Sequence, residues 1–241
     1  MGGERRTSHE TGEQLNANGG GDRQRRCVIM TDSNGREATP DSIKHHIPRE
    51  EQGQYDIKLF VAYTTDEAVR RVGENDIDVK NATVIVDNLT NDIRGTRQRP
   101  AASPEEFIQR VDRLRGRLRE AGAAVVVVCE IKPMEVLDVT PYNRVLHHYL
   151  RAVGDFGCQT QIRRSFLQRD GYHIQHQYDS VLDKTYACAL MGIYVPRPTP
   201  VEDFLPEFAR RRREQEWPRL AGSRDSWGQR GGGGLLNLHG W

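Results

Sequence analysis

The sequence predicts an α/β fold built on a parallel sheet, and three observations predict it. Short apolar runs bounded by turn residues alternate with amphipathic stretches of helical spacing, the pattern of successive βαβ units. The fourth run, Ala123 to Cys129, is valine and alanine up to its last residue with no polar alternation, as in a strand buried on both faces. Polar residues able to do chemistry stand where these runs end, at Asp32-Ser33-Asn34 after the first and Asn91-Asp92 after the third. Open α/β sheets place their sites beyond such strand ends.

The elements follow in order. Residues 1–25 are polar and Gly-rich, carry almost nothing to bury, and read as a disordered tail. The ordered domain is expected over residues 26–192 and opens with the strand RCVIM, which ends at Thr31-Asp32-Ser33. A second strand, Ile57 to Val61, leads through Thr64-Thr65-Asp66 into the helical DEAVRRV, and a third, Ala82 to Val86, ends at Asp87-Asn88-Leu89-Thr90-Asn91-Asp92. The clearest helix starts at Ser103-Pro104-Glu105-Glu106. Its N-cap serine, first-turn proline and two acids all suit the positive end of the dipole. Phe107, Val111, Leu114 and Leu118 then recur at helical spacing until Gly122 stops it. Further helices are predicted from Pro141 to Gly154 and from about Tyr178 to Leu190, with a weak fifth strand near Gln159–Ile162. Past Met191 the chain changes character. Residues 193–217 combine Pro196, Pro198 and Pro200 with an Arg-rich helix, and 218–241, with Gly231 to Gly234, read as a flexible tail.

Composition excludes several classes. Lys+Arg 35 against Asp+Glu 34 gives a formal charge of +1, so no global field draws the chain to nucleic acid or a membrane surface. Mean hydropathy is −0.73, low for a wholly globular chain, and the polar tails account for it. The four cysteines (Cys27, Cys129, Cys158, Cys188) are scattered without CxxC spacing, which argues for free thiols and against a structural zinc site. His45-His46 and His147-His148 lie on predicted helices with no carboxylate or cysteine at ligand spacing, so no metal and no cofactor is expected. Neither a signal-peptide core nor an apolar run of membrane-span length occurs, and the expected setting is cytoplasmic or otherwise intracellular, without a membrane partner.

Ser33, Asp170 and His173 are the residue types that turn a weak hydroxyl into a nucleophile, since the hydroxyl needs a base and the base a carboxylate to orient it. Asp170 and His173 are three residues apart, within reach of one short loop. Asn91 shares the sheet edge with Ser33 if the strands are parallel, and its amide is suited to donating to an oxyanion. Each residue also has a plain reading: Ser33 and Asn91 as caps of following helices, Asp170-Gly171 as an ordinary turn.

Taken together the motifs resemble those of the SGNH (GDSL-type) hydrolase family. Val28-Ile29-Met30-Thr31-Asp32-Ser33-Asn34 is similar to its first sequence block, Val84 to Asp92 to its third, and Asp170-Gly171-Tyr172-His173-Ile174 to its last. Pro133, Tyr142-Asn143 and Phe166-Leu167 also look like family features, and the resemblance spans roughly residues 26–192. It implies a flavodoxin-like three-layer sandwich with a mostly parallel five-stranded sheet. It implies a serine esterase acting on a small-molecule or acylated substrate, with Ser33 as nucleophile, His173 as general base and Asp170 as orienting carboxylate. The oxyanion hole would comprise the Ser33 N–H, Asn91 and a backbone N–H at Thr64.

Three departures bear on that reading. Thr31 stands where the first block begins with glycine, and the second block's glycine is replaced by Ala62-Tyr63-Thr64-Thr65-Asp66; Leu89 likewise replaces a glycine of the third. Loss of an oxyanion donor would leave a slow enzyme. The alternative is a weakly catalytic or noncatalytic SGNH-like module that binds nucleic acid or protein, as in Oskar-like or retroelement-encoded domains. A weak RNA contact through Arg210, Arg211, Arg212, Arg213 and the tail would serve it.

Overall fold

The structure, a computed structural model, describes residues 24–94 and 101–193. The expected Pro-rich segment, Arg-rich helix and terminal tail therefore lie outside the described residues, as does nearly all of the expected N-terminal tail. The first strand is β1 (Arg25–Thr31). It is followed by β2 (Tyr55–Val61), β3 (Thr83–Asp87), β4 (Val125–Cys129) and β5 (Phe156–Cys158). The sheet order is β2-β1-β3-β4-β5 and every pairing is parallel. A parallel sheet needs a crossover at each step, and the helices supply it.

Alternation along the strands sorts the core into two layers. Val28, Met30, Val84, Val86, Val126 and Val128 face one side, under α2 (Thr65–Gly73), α4 (Pro104–Glu120) and α5 (Thr140–Val153). Cys27, Ile29, Ile85, Val127 and Cys129 face the other, under α1 (Pro40–Lys44) and α6 (Asp179–Leu190). A short helix, α3 (Thr90–Arg94), follows β3 directly. The result is the expected three-layer sandwich on five strands, all parallel.

The best-marked helix forms as its sequence dictates. Ser103 and Glu106 close a reciprocal capping box, Pro104 sits in the first turn, and Phe107, Ile108, Val111, Leu114 and Leu118 are buried. Each such side chain contributes roughly 1.5–3 kcal/mol of burial. Gly122 and Gly154 end α4 and α5 at φ +87° and +75°, a conformation that costs a residue with a Cβ. The arginines of α4 are engaged locally: Arg115 and Arg119 both meet Asp155, and Arg113 meets Asp66 at 2.8 Å.

Three local expectations need correction. The fifth strand is Phe156–Cys158 and not Gln159–Ile162, because Gly154 turns the chain straight onto the sheet and Cys158 pairs in register with Cys129. His45 stands at the end of the short α1 and does not lie within a longer helix. His147 has a carboxylate partner that sequence spacing could not show: the fold brings Glu130 Oε1 to 2.8 Å from its Nε2. Of the cysteines, all unbridged, Cys27, Cys129 and Cys158 are buried and Cys188 only partly so. Among the described residues no helix is long and apolar enough to cross a membrane.

Candidate active site

Ser33 opens a single 3₁₀ turn, Ser33–Gly35, directly after β1. Asp32 caps that turn, its Oδ1 accepting from the Asn34 N–H at 2.8 Å. Gly35 is required for packing: a Cβ there would lie 2.1 Å from Thr31 Oγ1 and 2.6 Å from the Tyr186 hydroxyl. The turn is thus pressed against the sheet, and Ser33 is left half-buried at its rim.

His173 reaches Ser33 from a loop 140 residues later, with Ser33 Oγ and His173 Nε2 3.3 Å apart. Its Nδ1 lies 2.5 Å from Asp170 Oδ2, while Asp170 Oδ1 accepts from the Tyr172 and His173 N–H groups, each at 2.9 Å. A carboxylate accepting at Nδ1 fixes the tautomer, so Nε2 presents a lone pair to Ser33. Burial works to raise the Asp170 pKa, but the bonds from the His173 ring and the two N–H groups outweigh it and hold it at about 2. The carboxylate is ionised throughout the neutral range and orients the ring.

This loop is tied down on three sides. Gly171 adopts φ +67°, and its carbonyl accepts from the Glu135 N–H at 3.1 Å. Leu167 and Ile174 form an antiparallel bridge. Asn34, inside the Ser33 turn, accepts the Ile174 N–H at 3.0 Å, a direct strut between that turn and the Asp170–His173 loop. Asn143 braces the neighbouring β4–α5 loop, its Oδ1 accepting from the Ile131 N–H at 2.8 Å and its Nδ2 donating to the Ile131 carbonyl at 3.1 Å.

Beneath the turn lies a buried charge cluster that sequence reasoning missed. Lys132 is 1% exposed; its Nζ donates to Asp87 Oδ1 at 2.9 Å and lies 3.6 Å from Asp32 Oδ2. Tyr186 donates to Asp87 Oδ2 at 2.6 Å and is 2.8 Å from Thr31 Oγ1. One ammonium serves two carboxylates. Burial favours the neutral amine, but Asp32 and Asp87 prevail and hold the Lys132 pKa up. Burial also pushes the Asp87 pKa up, and the charge on Asp32 adds to that rise. The available signal was Lys132 itself, a lysine shortly after an apolar run, but its partners depend on strand register.

Asn91 lies in α3, where its Nδ2 donates to the Tyr63 carbonyl at 2.9 Å and its Oδ1 accepts from the Tyr172 hydroxyl at 2.8 Å. The β2–α2 loop differs from a glycine-lined edge. Thr64 caps α2, its Oγ1 accepting from the Glu67 N–H, and its carbonyl accepts from Asn88 Nδ2. The Thr65 N–H is taken by Asp92 at 2.9 Å, whereas the Thr64 N–H has no acceptor among the described residues. Asp170, His173 and Ser33 are brought together, and Asn91 joins them through Tyr172. Thr64 sits on the adjoining loop.

A scan against protein-family models found no match, and neither did a search of curated proteins. Solved structures do match. An acetyl esterase mutant with acetate ion is similar at TM-score 0.52 and 14% identity, over 70% of this chain and 97% of that one. A G-D-S-L family protein from Desulfitobacterium hafniense DCB-2 is similar at TM-score 0.50 and 11% identity, over 68% and 98%. The chain has the SGNH-hydrolase fold; at these identities the likeness extends to the fold alone.

Proposed function

We propose that the chain is a serine acylhydrolase that cleaves an ester through an acyl-enzyme on Ser33. The observation that carries this reading is the continuous line Ser33 Oγ–His173 Nε2 (3.3 Å) and His173 Nδ1–Asp170 Oδ2 (2.5 Å), assembled from opposite ends of the domain. The Asn34–Ile174 strut ties the two segments together without using Ser33, His173 or Asp170, so it does not account for the line those three side chains form.

The reaction follows from the geometry. As Ser33 Oγ bonds to the ester carbonyl carbon, its proton passes to His173 Nε2, and Asp170 stabilises the imidazolium. The Ser33 N–H and the remaining Asn91 Nδ2 hydrogen stabilise the oxyanion, with the Thr64 N–H as a third donor. Collapse breaks the bond to the alkoxy oxygen, which takes the proton from His173 and leaves as the alcohol. Water then gives its proton to His173 and its oxygen to the acyl carbon, and the acid departs with Ser33 restored. The 3.3 Å separation in the resting site is long and is expected to tighten with substrate bound.

A fluorophosphonate probe tests this. Labelling of wild type but not of folded Ser33→Ala is the expected result; no labelling of folded wild type would sink the reading. A second reading, a binding module that retains the fold, draws support from the β2–α2 loop, where the Thr65 N–H is already bonded and no glycine offers a close approach. Its Arg-rich RNA contact lies outside the described residues. Salt-sensitive RNA binding, lost on deletion of residues 205–241, would support it.

A further inference from the structure

Resting on the esterase reading, we infer that Tyr172 is a positioning residue that sets the Asn91 amide as an oxyanion donor, supporting a site that lacks the family's glycine N–H. Tyr172 lies between Asp170 and His173, and its side chain turns inward, 4% exposed. Its ring stands edge-on to His173 at 4.7 Å, and the Arg94 guanidinium lies over its face at 4.5 Å. The ring is fixed between base and cation, and its hydroxyl is delivered to Asn91 Oδ1 at 2.8 Å.

Hydrogen-bond polarity decides what that contact does. The Tyr63 carbonyl can only accept, so the amide nitrogen of Asn91 must face it. The Oδ1 edge is then the side turned to Tyr172, and the phenol must donate. Both ends of the amide are thereby clamped, and one Nδ2 hydrogen is left over for a substrate oxygen. Burial, with the Asp32 charge added, lifts the Tyr172 pKa to about 12 against the opposing charges of Lys132 and Arg94, so the group stays a donor at working pH. An oxyanion donor is effective when it is already oriented before charge develops. A lone asparagine clamped only by a backbone carbonyl would be oriented less firmly.

The test is Tyr172→Phe, which removes one oxygen and keeps the ring contacts. Hydrolysis of p-nitrophenyl acetate is measured per active site titrated with fluorophosphonate, so any unfolded fraction drops out. A fall in kcat of roughly 10- to 100-fold with KM essentially unchanged is expected, less than the roughly 10²–10³ for deleting an oxyanion donor outright. In an Asn91→Ala background the same substitution should change kcat little, because the two act as one unit. An equal fall in both backgrounds would overturn the assignment, as would an unaffected kcat in Tyr172→Phe. Wild-type protein without Ser33-dependent turnover would instead overturn the underlying esterase reading, so the two failures are distinguishable.

Discussion

Two aspartates lie on opposite sides of Ser33 and have opposite electrostatics. Asp170, with its side chain 45% exposed, is held at about pKa 2 by three hydrogen bonds on the rim loop. Asp87, 4% exposed at the end of β3, is pushed up by burial and relies on Lys132 for its charge balance. The rim carboxylate is solvated and holds the His173 ring by a hydrogen bond, whereas the floor carboxylate belongs to a closed cluster that props up the turn. On the proposed esterase reading the same residue type serves chemistry in one place and architecture in the other, and solvent exposure separates them. Charge removal at the rim should therefore damage activity, and charge removal in the floor should damage stability.

The largest expected effect is at the rim. Asp170→Asn keeps the shape but loses the acceptor that fixes the His173 tautomer, so kcat should fall by roughly 10³–10⁴. Its urea midpoint should barely move, because the group is half in water; a large shift in that midpoint would break the contrast. In the floor, Lys132→Met leaves two buried carboxylates without a counter-charge and should cost about 3–5 kcal/mol in urea unfolding. Adding Asp87→Asn should restore part of that loss. A neutral Lys132→Met would mean the cluster is not bearing on stability at all.

Smaller effects sharpen the picture. Gly35→Ala drives a Cβ into Thr31 and Tyr186 and should cost about 1–3 kcal/mol, with activity falling as Ser33 shifts. The pH edges should also separate. Asp170 has a folded pKa depressed from 3.8 to about 2, so its contribution is present above pH 3.8 and is lost as pH falls through about 2. Lys132 has a folded pKa raised above 10.5, so its contribution is full below pH 10.5 and is lost as pH rises through the folded value. The Lys132→Met stability curve should approach wild type at the alkaline edge, whereas the Asp170→Asn curve should stay close to wild type throughout, because solvent screens the exposed Asp170 carboxylate.

Much of the sheet was legible because it rests on contiguous pattern. The valine run of β4 and the capped, periodic α4 can be read from a dozen neighbouring residues. The proposed triad could be assembled from the sequence for a related reason: Asp170 and His173 share one turn, and Ser33 marks a strand end. What escaped depended on distance. β5 is three residues with a central glycine, Phe156-Gly157-Cys158, and has no periodicity to detect. The Lys132–Asp87–Tyr186 cluster joins β3, the β4–α5 loop and α6, and only strand register brings it together. Tyr172 was visible within its motif, but its partner Asn91 is 81 residues away and the inward turn of its ring comes from the loop fold.

The central claim is that Ser33 carries the acyl group, and peptide mass analysis of protein quenched during turnover of p-nitrophenyl acetate tests it most directly. A burst of p-nitrophenol matching the active-site concentration and an acetyl ester on the peptide bearing Ser33 are expected, both absent from folded Ser33→Ala. A folded wild type that shows no burst, or an acetyl group found on another residue, would contradict it.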